Sequence, residues 1–135
     1  MSVIPGDNIP PWIMPSVSAE RMKTMAAVLR DPNPVHWDRN VVESLPLGLG
    51  LRTINQGPLG LSYMINMLHA WRGPECIRRI VMRFPQVVLD GEEVIARGTV
   101  TAIKTANGAT LAECDIWLAH EERGTLLEGT ALVII

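Results

Sequence analysis

The hydrophobic period of this chain changes once, at Gly73-Pro74, and the change limits the folds open to it. Before it stands QGPLGLSYMINMLHAWR, residues 56–72. Here Leu61, Met64, Ile65, Leu68 and Trp71 form one apolar stripe at helical spacing. Pro58 suits an early helical position, where its missing N–H costs nothing, and Gly73-Pro74 stops the helix. Beyond that point apolar residues alternate. Residues 76–89 set Ile80, Met82 and Phe84 against Arg79, Val81 and Arg83, with a break at Pro85 that predicts a bulge. Residues 93–105 and 109–121 flank Asn107-Gly108, a strong hairpin signal, and 125–134 reads as a last strand. Asp90-Gly91 and Glu122 to Gly124 are turns. One long helix cannot bury itself alone. The expected architecture is therefore α+β, with four strands in an antiparallel meander curving around the helix. Such a sheet has free edges, so pairing with a second copy or a sister subunit is expected.

Upstream, residues 1–17 are proline-rich and read as irregular, with one possible short strand near Trp12 to Met14. Ser18 is placed to cap a helix with Glu20 in its first turn and Met22, Met25, Ala26 and Leu29 on one face. Pro32 ends that helix by pushing Asp31 out of the α region. Asp38 is placed to cap a short helix, Arg39 to Ser44. The loop LPLGLG, 45–50, has neither GK[ST] nor a full GxGxxG, which favours a flexible loop near a pocket over a phosphate loop.

With 135 residues the chain suits a single domain, 1–135. A net charge of −2, with no basic stretch, points away from nucleic acid and from anionic membrane surfaces. No apolar run reaches the length of a membrane span, and the N-terminus does not read as a secretory signal. Cys76 and Cys114 lack any CxxC or ligand spacing, so they are expected to be reduced thiols in a cytoplasmic protein. Three scattered histidines do not make a metal site.

The chemistry-bearing stretch is DPNPVHWD, Asp31 to Asp38. Two prolines deny it helical geometry, and Asn33 is a good turn residue, so the loop can curl. On the residues alone, two readings stand. In one it is a helix-stop turn, with Asp31 and Asn33 making Asx turns and Asp38 capping the next helix. In the other, Asp31 and His36 converge on one water. A carboxylate and an imidazole can between them take one proton from water and give one to carbon, as adding water across an activated double bond requires.

DPNPVHWD resembles the D-x-N-P-[LIV]-H-x-D signature of the MaoC-like, or R-specific, enoyl-CoA hydratases. The Gly-led helix about twenty residues later and RFPQVVLDGEEVIARGTV, 83–100, are similar to further segments of that family. The resemblance implies a hot-dog fold, usually paired into a dimer. It also implies that Asp31 and His36 are the catalytic pair, Asp31 helping to activate the water and His36 shuttling the proton to the α-carbon. Gly57 would offer its backbone N–H to the thioester oxygen, and Asn33 and Ser62 would be substrate-binding positions. For Ser62 the residues equally allow a hydroxyl bonded back to its own helix turn. No cofactor is implied beyond the coenzyme A of the acyl-CoA substrate. Two departures stand out: Arg30 where the family often has Gly, and Gln56-Gly57-Pro58 where it often has His-Gly-Met. NQGP and AWRGP look closer to small MaoC-like subunits of steroid-side-chain hydratases, which pair with a second MaoC-like chain and take bulky esters. Two rival functions stand beside this one. A hot-dog thioesterase or carrier-protein dehydratase commonly places a carboxylate on the central helix, and 56–72 has none. A non-catalytic, acyl-binding subunit would have no need of both Asp31 and His36.

Overall fold

The computed structural model describes residues 2–135; Met1, the first residue of the expected irregular segment, lies outside them. The elements run β1 (Asn8–Met14), α1 (Ala19–Leu29), a 3-10 turn (Pro34–His36), α2 (Arg39–Ser44), α3 (Gly57–Arg72), β2 (Ile77–Arg83), β3 (Val94–Ala106), β4 (Ala109–His120) and β5 (Gly124–Ile134). All five strands form one antiparallel sheet in the order β1-β3-β4-β5-β2.

Helix α3 touches every strand, so the sheet curves around it as expected. Its buried residues are Leu59, Gly60, Tyr63, Met64, Met67 and Leu68. Each large side chain among them contributes roughly 1.5–3 kcal/mol by leaving water. The buried stripe is rotated from the expected one: Tyr63 and Met67 are covered where Leu61 and Ile65 are only half-buried. The cause is β1, whose Trp12 ring stacks on Tyr63 with centroids 5.8 Å apart. At Gly60 a β-carbon would come within 2.8 Å of Leu127 Cδ1, so glycine lets helix and sheet approach.

Three sequence expectations are corrected. In the N-terminal segment the strand expected near Trp12 to Met14 is present but longer, Asn8–Met14 along β3, and its register slips between Ile9 and Trp12, where Pro10 and Pro11 stand. Proline is tolerated there because β1 is an edge strand. The strands do not form a four-strand meander. β3, β4 and β5 do, but β2 lies beyond β5, with Arg83 opposite Glu128. The strand at 76–89 stops at Arg83, and Pro85 is no bulge; the β2 register slips instead between Ile77 and Arg79. Residues 84–93 then cross to β3, held on the way by Gln86 N–H donating to the Leu126 carbonyl (3.2 Å). Alternation reveals a strand but not its partner. The hairpin at Asn107-Gly108 is as expected, with φ of 52° and 76° at the two residues, which match the right-handed twist of the strands.

Candidate active site

The site starts at the end of α1. Arg30 sits in the left-handed region (φ 52°), its N–H donating to the Ala27 carbonyl, while the N–H of Asp31 reaches back to Ala26 at 2.9 Å. These two bonds are a Schellman ending, and they fix where Asp31 leaves the helix. Asp31 Oδ1 then accepts from the Asn33 N–H (3.1 Å), and Asn33 Oδ1 accepts from the Val35 N–H (3.3 Å). Two Asx turns in succession curl the chain into the proline-led 3-10 turn that presents His36. Asp38 caps α2 through the N–H groups of Asn40 and Val41.

The curl brings His36 Nε2 to 3.4 Å from Asp31 Oδ2. The turn reading holds, and the same loop brings the two side chains together: one carboxylate oxygen makes the turn, and the other faces the imidazole. The ring's other nitrogen, Nδ1, lies 2.6 Å from the Ile54 carbonyl oxygen. A carbonyl only accepts, so Nδ1 carries the proton there, and Nε2 of the neutral ring is left as an acceptor toward Asp31. The His36 side chain is 13% exposed and that of Asp31 39%, so water reaches the pair from the carboxylate side.

Opposite stands the N-terminal tip of α3. Gln56, the N-cap, makes no side-chain cap bond; its amide donates instead to the Met22 carbonyl at 2.8 Å. In the first turn Pro58 has no N–H, and the N–H groups of Leu59 and Gly60 both go to the Gln56 carbonyl. That leaves the Gly57 N–H, which no described residue accepts. The tip thus presents a single backbone donor at the positive end of the helix. A cavity of about 300 Å³ joins these parts, lined by His36, Asn55, Gly57, Phe84, Val88 and Leu127 among others. The Phe84 ring lies over the tip: a β-carbon on Gly57 would be 3.2 Å from Phe84 Cε1.

The structure thus brings Asp31 to His36 and sets His36 and Gly57 on one cavity, whose lining does not include Asp31 itself. Asn33 is exposed and occupied in the turn, and the Ser62 hydroxyl donates to the Leu59 carbonyl at 2.5 Å, one turn back. Neither lines the cavity. Missed in the sequence were the Ile54 carbonyl, Asn55 and Phe84. The carbonyl has no side-chain signal at all. Asn55, just ahead of the helix start, is 6% exposed, with no well-formed bond to its carboxamide. The Tyr63 hydroxyl, also buried, is pushed above its ordinary range by burial, with the Asn55 amide and more distant Arg21 opposing. Among the described residues no cluster of His, Cys, Asp or Glu is suited to a metal ion.

The fold recurs in solved structures. R-hydratase PhaJ1 from Pseudomonas aeruginosa superposes with a TM-score of 0.83 at 19% identity, over 98% of this chain and 81% of that one. The (R)-hydratase from A. caviae involved in PHA biosynthesis gives 0.84 at 23%, over 98% and 96%. The ChsH1-ChsH2 complex from Mycobacterium tuberculosis gives 0.79 at 17%, over 99% of both chains. At such identities the likeness establishes the hot-dog fold alone. No curated protein matches the sequence. Residues 12–114 match the family model of the MaoC-like domain, a span holding Asp31, His36, Gly57 and the whole of α3. By that match the chain belongs to the MaoC-like dehydratase family.

Proposed function

We propose that this chain hydrates trans-2-enoyl-CoA thioesters to (3R)-3-hydroxyacyl-CoA, a reaction that runs in reverse as dehydration. The observation that carries this reading is the placement of His36 Nε2 at 3.4 Å from Asp31 Oδ2, beside a cavity that His36 shares with the free N–H of Gly57. A water on the open side of the pair can donate toward both acceptors. The water oxygen bonds the β-carbon as one of its protons passes to the pair. The π electrons of the double bond move toward the α-carbon and the thioester oxygen. A proton from the pair then closes the α-carbon–hydrogen bond. The charge that develops on the thioester oxygen meets the Gly57 N–H and the helix dipole. The acid and base roles belong to Asp31 and His36 as a coupled unit. Ile54, Phe84, Val87, Val88 and Leu127 supply an apolar wall for the acyl chain.

A cavity of about 300 Å³ is at the lower end of ligand sites and does not enclose an acyl-CoA. A second MaoC-like chain, identical or not, completes the site in this reading. The acyl group is set by that pairing, with a bulky steroid-side-chain ester as one candidate and a short linear ester as the other. The test is hydration of both ester types by the chain alone and with a MaoC-like partner, followed by chiral analysis of the product. The expected product is the 3R alcohol from at least one ester. Acyl-CoA binding without conversion in every pairing would favour the rival reading, an acyl-binding subunit.

A further inference from the structure

We propose, on the reading of His36 as an acid–base group, that Asp90 is the positioning residue of this site: it fixes the backbone carbonyl that sets the His36 tautomer. Asp90 is far from DPNPVHWD in sequence and is 8% exposed. Its Oδ2 accepts from both the N–H and the hydroxyl of Thr53, each at 2.6 Å, and its own N–H donates to the Thr53 carbonyl at 3.0 Å. Charge-assisted bonds of this length are among the stronger ones in proteins. Three bonds thus tie Thr53 to one residue.

The effect passes to His36 through two peptide groups. In the Thr53–Ile54 peptide the carbonyl goes to Asp90 and the N–H goes to the Val35 carbonyl (2.9 Å). In the Ile54–Asn55 peptide the N–H goes to the Val88 carbonyl (2.7 Å) and the carbonyl accepts from His36 Nδ1 (2.6 Å). Residues 53–55 are therefore a short strip pinned on one side by 88–90 and pinning residues 35 and 36 on the other. Two rungs are too few for a self-supporting ladder. The Asp90 carboxylate stands in for the missing rung. Arg39, three residues beyond His36, comes to 3.5 Å from Asp90 Oδ1 and closes the network on the same loop. If the strip slackens, the Ile54 carbonyl leaves Nδ1, the ring is free to carry its proton on Nε2, and the acceptor facing Asp31 disappears.

The test reads the ring directly and needs no substrate. Ring ¹⁵N shifts of His36, assigned with His36→Gln, are recorded where the imidazole is neutral. Wild type is expected to hold the proton on Nδ1, Asp90→Ala to move toward the Nε2–H form, and Asp90→Asn, which keeps an acceptor for Thr53, to resemble wild type. With enoyl-CoA, Asp90→Ala should lower kcat by ~10²-fold with KM little changed, the scale of loss from misplacing a catalytic group, and Asp90→Asn should recover most of it. A folded Asp90→Ala with the wild-type ring signature overturns the proposal. Where Asp90→Ala does not fold, Thr53→Val removes one of the two bonds to the Asp90 carboxylate and keeps the shape. It is expected to shift the ring in the same direction, and an unchanged ring again overturns the proposal. A tautomer that follows Asp90 in a protein that hydrates no ester, alone or with a MaoC-like partner, supports the positioning role and sinks the hydratase reading.

Discussion

Arg30 shows how one backbone angle serves the site. At φ 52° its side chain is held in a region that costs an L-residue roughly 1–2 kcal/mol, yet only such a residue can close the Schellman ending that launches Asp31. Glycine removes that strain and loses part of the gain to the greater freedom of the unfolded chain. Arg30→Gly is accordingly expected to raise stability by up to ~1 kcal/mol in chemical denaturation. It should leave the 3.4 Å approach of His36 to Asp31 intact in a structure of the variant. A fall in stability would show that the Arg30 side chain contributes more than its strain costs. The sequence marked this position only through its departure from the family's usual glycine. The pair itself was legible because the prolines and Asn33 of DPNPVHWD bear directly on backbone angles. The Ile54 carbonyl was not, because every residue has one.

Among the elements, β2 owes its place to a glycine. A β-carbon on Gly129 of β5 would overlap the Val81 carbonyl oxygen and crowd Met82 Sδ, so the two strands can pair only while position 129 is bare. Gly129→Ala is expected to cost several kcal/mol, in the upper tail for point substitutions, and to lower the denaturation midpoint clearly. Hydrogen exchange should show the loss first along Ile77–Arg83. An unchanged midpoint would mean that β2 shifts to accommodate the methyl group without cost. That close approach could not be read in advance, since alternation at 76–89 and 125–134 gives each strand but not their contact. Elements whose signal is local came through well: α2 with its Asp38 cap, α3 between Gly57 and Arg72, and the Asn107-Gly108 hairpin. Those whose signal lies in a distant partner did not. Of β1 only Trp12 to Met14 was legible; the strand extends back to Asn8 because β3 lies beside it, where two prolines argued the other way.

Across the whole molecule the helix, the sheet and both cysteines share one buried cluster. Burial, with Asp115 and Cys76 nearby, pushes the Cys114 thiol from 9.0 to about 11. The folded state therefore binds that proton more tightly than the unfolded chain does. The contribution of this thiol to stability is full below pH 9.0 and is lost as pH rises from 9.0 to about 11. The loss is on the order of 2–3 kcal/mol across those two units. Urea midpoints at pH 8 and pH 10.5 should converge for wild type and Cys114→Ala relative to their difference at pH 8, because the variant lacks this one alkaline loss; parallel midpoints would refute the shift. At the same scale the sheet, wrapped on α3, sets the Gly57 tip against the loop that carries Asp31 and His36, and in the proposed function this meeting is catalytic. The most direct measurement is steady-state hydration of an enoyl-CoA substrate by wild type, Asp31→Asn and His36→Ala, beside acyl-CoA binding by each. Turnover is expected to fall by ~10²–10⁴ in both variants with binding preserved. Wild-type turnover in both would contradict it.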